Sequence, residues 1–351
     1  MVQYAYQKMK GKIDMFEMHN RRYTGSKYKL MEWIKKLIKE NCEGESFFDV
    51  FAGTGVVTEY FIKDFKSFII NDFLFSNEVI YKGFLLQEKY DIDKMYEITN
   101  FYNEINRNDL KENYISQNFG DKYFNYDDAK LIGYIREDIE KKYKQKEINQ
   151  KEYYILLSSL LFSLDRISNT CGHYDSYIKG KNIRSNFKFE LISPIELKEN
   201  QDISIHREDA NKLAKKVTAD IAFIDPPYNS RQYSRFYHIL ENITKWEKPE
   251  LYGTALKPKE ENMSEYCKTS AVKVFQDLIN NLDVKYIVVT YNNTYNSKSS
   301  SSKNKITLEE IKNILESIGT TQTFSKAHKF FNAGKTDLKD HKEYVFITKV
   351  S

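Results

Sequence analysis

Cysteine is scarce in this chain of 351 residues: Cys42, Cys171 and Cys267 stand alone and far apart. An odd, sparse set does not build a disulfide framework, and the paired spacing of a zinc site is missing. The six histidines form no ligand cluster along the chain, so no metal is expected. Long hydrophobic runs are also missing. No apolar stretch approaches the roughly 20 residues that span a bilayer, and the mean hydropathy is −0.64, which leads us to expect a soluble protein without a membrane partner. Lys8, Lys10 and Lys12 are followed by Asp14 and Glu17 rather than by an apolar segment, which argues against a secretory signal and for the cytoplasm. Nor is there a large excess of one charge. With 54 basic against 50 acidic residues, the net charge of +4 describes a mixed surface, and charge alone would not mark a nucleic-acid-binding protein. Tyrosine (27) and phenylalanine (23) are abundant, but that excess fits compositional drift better than a base-stacking surface.

What is present reads as an α/β protein. Ser46-Phe47-Phe48-Asp49-Val50-Phe51 is a short apolar run that ends in Ala52-Gly53-Thr54-Gly55, after which Val56 to Phe61 resumes apolar character. That order is strand, glycine turn, helix, the opening of a doubly wound sheet. Before it, Leu30, Trp33, Ile34, Leu37 and Ile38 recur at helical spacing opposite Lys35, Lys36, Lys39 and Glu40. Phe68-Ile69-Ile70 is a second strand, running into Asn71-Asp72, and further strand signals appear at Ile203–Ile205, Ile221–Ile224, Tyr286–Val289 and Tyr344–Ile347. These predict a mostly parallel sheet with helices between its strands. Between about 85 and 200 the pattern changes to long charged helical stretches and an apolar run from Tyr153 to Leu164. We divide the chain accordingly into 1–84 with 201–351, and an inserted, mainly helical region 85–200. Asn296 to Lys305 is a low-complexity polar stretch expected to form a mobile loop.

The most specific signal is Asp225-Pro226-Pro227-Tyr228, which holds two of only five prolines directly after a strand. Adjacent prolines fix the backbone and remove both amide donors. The Asp225 carboxylate and the Pro226 carbonyl then form two acceptors at fixed separation, suited to one amino group. An aromatic amine is a poor nucleophile because its lone pair is delocalised into the ring. Accepting a hydrogen bond from each of its hydrogens favours a pyramidal nitrogen that can attack a sulfonium methyl in line. Tyr228 is placed to stack on a base rotated out of a duplex. The bland alternative is a rigid turn at a strand end.

Other elements are less specific. Phe51-Ala52-Gly53-Thr54-Gly55 allows close backbone approach to a ligand at the carboxyl end of the first strand, or is simply a turn. Asp72 suits ribose hydroxyls or a capping role. The turn lacks a full Gly-x-Gly-x-x-Gly, which argues against a nicotinamide cofactor. In Tyr23-Thr24-Gly25-Ser26-Lys27, Lys27 can pair with a carboxylate, or Ser26 can cap a helix beside a surface lysine.

Taken in order, Tyr-x-Gly-Ser-Lys, Asp49 to Gly55, Asp72, Asp209 and the Asp-Pro-Pro-Tyr tetrad resemble the Dam-like (alpha-group) adenine-specific DNA methyltransferases of bacterial restriction–modification systems. The likeness extends through Asn229 to Tyr233 and Phe236 to Asn242, and its motifs cover about two-thirds of the chain. It implies a Rossmann-like sheet binding S-adenosylmethionine, interrupted by a target-recognition region. Tyr23, Lys27, Asp49, Phe51, Ala52, Gly53, Gly55 and Asp72 would then hold the cofactor, with Asp209 near its adenine unless it caps a helix. Asp225 would serve cofactor and target amine alike, within a catalytic set of Asp225, Pro226, Pro227 and Tyr228. Candidates for duplex DNA are Arg166, Asn169, His173, Tyr174 and Lys179, followed by Arg231 and Tyr233. Most other charges of 85–200 read as a solvated scaffold. A monomer is expected, with a cognate restriction endonuclease as functional partner. The rival readings are methylation of a cytosine amino group, RNA or a protein glutamine, and a non-catalytic DNA-binding subunit. One departure from the family pattern is the loop after Tyr291-Asn292-Asn293, which Ser299 to Ser302 lengthen.

Overall fold

The computed structural model describes residues 16–294, 303–327 and 341–351. Seven strands, β1 (Ser46–Asp49), β2 (Ser67–Asn71), β3 (Asp202–His206), β4 (Thr218–Ile224), β5 (Asp283–Asn292), β6 (Gly319–Ala327) and β7 (Lys342–Val350), form one sheet. Its order is β3-β2-β1-β4-β5-β7-β6. β3, β2, β1, β4 and β5 are mutually parallel, whereas β7 runs antiparallel to both β5 and β6. The chain starts in the middle of the sheet, winds outward through β2 and β3, and returns to β4 on the other side of β1.

The strands are apolar because both faces are covered. Phe47, Phe68, Ile70, Ile221, Phe223 and Val288 point to one face, and Phe48, Ile69, Ala222, Ile224, Ile287 and Val289 to the other. On the first face pack α1 (Met31–Asn41), α2 (Val56–Phe61), α3 (Phe75–Leu85) and the helices of residues 85–200: α4 (Ile92–Glu104), α5 (Tyr114–Phe119), α6 (Tyr126–Lys144) and α7 (Gln150–Ile167). On the second pack α8 (Ala210–Ala214) and, after α9 (Tyr233–Phe236) and α10 (His238–Lys245), α11 (Ala271–Asn281) and α12 (Leu308–Glu316). No described helix is long and apolar enough to cross a membrane. The expected mobile loop lies mostly outside the described residues, as do Lys8, Lys10, Lys12 and Asp14.

Two features were not legible in the sequence. β6 is mostly polar, with Phe324 alone packing against the core, because as an edge strand it is largely hydrated and needs no apolar alternation. The helices of 85–200 also share their apolar cluster with the sheet: Leu156, Leu157 and Leu160 of α7 belong to the same buried group as Phe47 and Phe223. Asn149 starts α7 with a capping box that Glu152 completes, which fixes where this apolar run begins. α7 lies so close against α3 that a methyl group on Gly83 would stand 2.3 Å from Ser158 Oγ and 2.8 Å from the Tyr154 carbonyl oxygen. The serine hydroxyl can rotate away, but the helix backbone cannot.

Gly83→Ala should therefore force α3 and α7 apart and destabilise the protein by about 1–3 kcal/mol. Thermal unfolding checks this, and an unchanged midpoint would show that the two helices are not held at contact distance.

Candidate active site

The polar groups of the site gather over the carboxyl ends of the parallel strands, where open α/β sheets bind ligands. At the end of β1 the chain turns through Gly53 (φ 55°) and Gly55 (φ 78°), left-handed conformations that favour glycine. A Cβ on Gly55 would also stand 2.7 Å from Met18 Cε. The turn is held from several sides. Gly53 donates its N–H to Asp72 Oδ2 at 2.9 Å, and its carbonyl accepts from Tyr81 Oη at 2.7 Å and Arg21 Nη2 at 3.2 Å. Asp72 accepts two further bonds on Oδ1, from Leu74 N (2.9 Å) and Asn77 Nδ2 (2.8 Å). Burial raises its pKa despite these three donors.

Asp49 lies beneath the turn, 1% exposed, with Oδ2 accepting from Thr58 Oγ1 at 2.7 Å. Its side chain anchors α2 from beneath the turn and is not among the residues that line the cavity. Gly55 is likewise outside the lining, at the cap of α2. Burial pushes the Asp49 carboxyl up to about 7 although the Thr58 hydroxyl opposes the shift.

Above the turn is an open cavity. One side is acidic, with Asp72, Glu208, Asp209 and Asp225. Asp209 caps α8 through Lys212 N at 3.1 Å while keeping its place in the wall. Another side is aromatic: Phe51 meets the edge of Tyr266 at 5.0 Å. A third is a cluster of three tyrosines, Tyr23 against Tyr237 (4.7 Å) and Tyr233 (5.2 Å), the last of these taken from sequence as a DNA contact. Gln232 bonds Ser264 through both ends of its amide, at 3.0 and 2.7 Å, drawing a downstream segment over the cavity. Tyr266, Glu208 and Ser264 carry no sequence signal, since ordinary residues in loops look alike until the fold brings them together.

The Asp-Pro-Pro-Tyr segment leaves β4 beside this cavity. Asp225 Oδ2 lies 3.0 Å from the ammonium of Lys27, which is only 4% exposed. Asp225 Oδ1 accepts from Thr290 Oγ1 at 2.9 Å and from the Tyr228 hydroxyl. Burial pulls the Lys27 pKa down, but the Asp225 and Glu343 carboxylates outweigh it and the net shift is upward. Tyr228 is therefore turned inward, hydroxyl against Asp225 and ring edge-on to Tyr291 at 4.6 Å, with Lys27 4.7 Å from its ring centre. A ring ready to stack, as expected from sequence, is not the conformation present. Pro226 is buried and Pro227 lines the cavity. Lys305 N donates to the Tyr228 carbonyl at 2.7 Å, so the far end of the serine-rich loop is docked on the tetrad, whereas residues 295–302 lie outside the described residues.

The remaining DNA candidates differ in exposure. Asn169 and Tyr174 are buried, the first donating to the carbonyls of Lys122 and Ile178, the second to Asp165 Oδ1 at 2.8 Å. Their polar groups hold the loop and present no surface. His173 stacks on Phe236 at 4.7 Å, and the Arg231 guanidinium lies 5.7 Å from that same ring. Arg166 is exposed, paired with Glu190 and lying over Phe16; Lys179 is exposed. Among the described residues no group of three metal-ligating side chains lies together.

Such a sheet, with a ligand cavity at its carboxyl ends and Asp-Pro-Pro-Tyr after β4, has the fold of S-adenosylmethionine-dependent methyltransferases. Residues 23–306 match the model of the D12 class N6 adenine-specific DNA methyltransferases, and the chain belongs to that family, whose members use S-adenosylmethionine. It is 36% identical to modification methylase StsI of Streptococcus sanguinis over 286 residues, covering 78% of this chain and 44% of that protein. Modification methylase LlaI of Lactococcus lactis subsp. lactis is 33% identical, covering 78% of this chain and 46% of that protein. The type II methyltransferase M.NlaIII of Neisseria lactamica is 29% identical, covering 91% of this chain and 95% of that protein. The chain thus spans about half the length of the first two and nearly all of the third.

The buried Asp49 carboxyl gives a pH test of the turn. A carboxylate whose folded pKa is raised destabilises the protein as pH rises from the unfolded value through about 7, and below that range the penalty is gone. Asp49→Asn, which can still accept from Thr58, should gain more stability over wild type at about pH 8 than at about pH 5. Denaturant unfolding at both pH values checks it, and an equal difference at the two would mean that Asp49 does not titrate in this range.

Proposed function

We propose that this chain is a site-specific DNA methyltransferase that transfers a methyl group to the exocyclic N6 of an adenine rotated out of duplex DNA. The observation that carries the reading is Asp225 at the mouth of the cavity, its carboxylate held by Lys27 and Thr290 beside the two fixed prolines. The cavity suits S-adenosylmethionine by its chemistry. A wall of four carboxylates against one buried ammonium favours a cationic sulfonium, Phe51 and Tyr266 offer an apolar slot for a purine, and Asp72 and Asp209 stand where ribose and adenine edges need acceptors. Gly53, in a left-handed turn facing Tyr23, leaves backbone room for the amino-acid end.

S-adenosylmethionine, when bound, supplies an electrophilic methyl on sulfur. Asp225 and the Pro226 carbonyl accept the two hydrogens of the target amine and orient its lone pair. Asp225 stabilises the positive charge that develops on that nitrogen as it gains the methyl, and takes the proton it sheds. Tyr228 must give up its bond to Asp225 before a base can enter, which exchanges one donor on that carboxylate for another. Its freed ring then stacks on the base and offsets part of the few kcal/mol that flipping costs. Region 85–200, with Arg166, His173 and Lys179, and the following segment with Arg231 and Tyr233, form the DNA-facing side in this reading. The protein acts in the cytoplasm as a monomer, as the modification partner of a restriction endonuclease.

The test is transfer of labelled methyl to unmethylated DNA, followed by nucleoside analysis. Methylated adenine at one short motif is expected, and label on cytosine, RNA or protein would move the substrate elsewhere. Asp225→Asn should lower kcat by at least about 100-fold with DNA affinity retained, and Tyr228→Ala should weaken both base capture and turnover. A methylating Asp225→Asn protein would sink the assigned role.

A further inference from the structure

Residues that follow the tetrad hold a later stretch of chain, Pro258 to Cys267, along one wall of the cavity. Arg235 Nη1 donates to the Pro258 carbonyl at 2.6 Å, Ser234 Oγ lies 3.9 Å from Met263 Sδ, and Cys267 Sγ donates to the Arg231 carbonyl at 3.3 Å. The Gln232–Ser264 pair is the fourth tie. Near its far end the stretch reaches α8, where the Tyr266 hydroxyl donates to Asn211 Oδ1 at 2.8 Å. Within it, Asn262 lines the cavity with its backbone in the left-handed region at φ 48°, a conformation that asparagine adopts more readily than most side chains. Its Nδ2 is shut off from solvent and donates to nothing, and among the described residues no other side chain of the cavity wall has such an atom. An amide donor left in that state carries a desolvation cost that an acceptor would remove.

We propose that Asn262 is a cofactor-binding residue, whose amide turns into the cavity and donates to a ring nitrogen of the adenine of S-adenosylmethionine. This rests on the methyltransferase reading above and adds a donor to a wall rich in acceptors. The χ2 of asparagine is a broad torsion, so the amide can turn while the clamped backbone stays in place.

Chemistry selects the adenine over the rest of the cofactor. Asn262 shares its stretch with Tyr266, whose edge meets Phe51 in the apolar slot that suits a purine. The ring nitrogens of adenine only accept, whereas its amino group and the ribose hydroxyls can donate. As carboxylates, Glu208 and Asp209 in the same cavity also only accept, so they suit the amino group and leave the ring nitrogens unmet. The Tyr266 hydroxyl already donates to Asn211, and both ends of the Gln232 amide are taken by the Ser264 backbone. Asn262 brings the amide whose donor is uncommitted.

The experiment measures binding by calorimetry to wild type, Asn262→Gly and Asn262→Asp, with S-adenosylhomocysteine and its 1-deaza, 3-deaza and 7-deaza analogues as probes. Glycine keeps the left-handed backbone without strain, and aspartate keeps the shape of the side chain but has no donor. Both variants should bind S-adenosylhomocysteine about 10-fold more weakly than wild type. One of the three analogues should lose a similar factor on wild type and nothing further on Asn262→Gly, because the partner of the missing nitrogen is already gone. An Asn262→Gly protein that binds S-adenosylhomocysteine as tightly as wild type overturns the proposal. So does one that loses the same factor with the parent and with every analogue, the pattern of a residue that only shapes the wall. Wild-type protein that binds no S-adenosylhomocysteine would instead defeat the reading of the cavity itself.

Discussion

The ion pair of Lys27 with Asp225 is the interaction on which the site is built. A lysine at 4% exposure cannot stay charged on its own, and removing one partner of a buried pair leaves the other uncompensated at several kcal/mol. The pair therefore imposes positions on everything near it. The segment before α1 must lie over the end of β4, and Thr290 of β5 must face Asp225. Sheet topology and site electrostatics are one constraint seen twice.

The same device recurs along the cavity with other buried polar groups. Asp72 gathers three donors from the glycine turn and from α3. Asn71 bridges the ends of β1 and β3 by donating to the carbonyls of Val50 and Glu208, while its own oxygen accepts from Glu208 N at 3.0 Å. Glu241 of α10 accepts from Phe75 N and Ser76 N at the start of α3. Each group ties one strand or helix end to the next, so the walls are fixed before any ligand arrives, the arrangement that lets a site stabilise a transition state without reorganising.

Residues 85–200 are held to this framework by apolar packing and by polar ties. Asp165, at the end of α7, accepts from Arg22 N and from the Tyr174 hydroxyl, and Tyr123 donates to the carbonyls of Tyr174 and Ala255. His238 of α10 lies 2.9 Å from that same Ala255 carbonyl. The loop bearing His173 thus meets the helices that follow the tetrad through rigid contacts, and the side that would read DNA is mechanically continuous with the chemistry.

Much of this was written in the sequence. Strands buried on both faces announce themselves as short apolar runs, and Asp-Pro-Pro-Tyr is distinctive because proline is rare here and constrains the backbone whatever surrounds it. The glycine turn and the acid after the second strand were legible for the same local reason, and the order of these motifs carried the family. Other outcomes depended on tertiary structure. Nothing local distinguishes Asn169 and Tyr174, which are buried, from Lys179, which is exposed. The inward turn of Tyr228 and the support role of Asp49 follow from packing between elements distant in sequence. A motif fixes which groups a segment offers, but burial and pairing are properties of neighbours, and only the folded sheet chooses those.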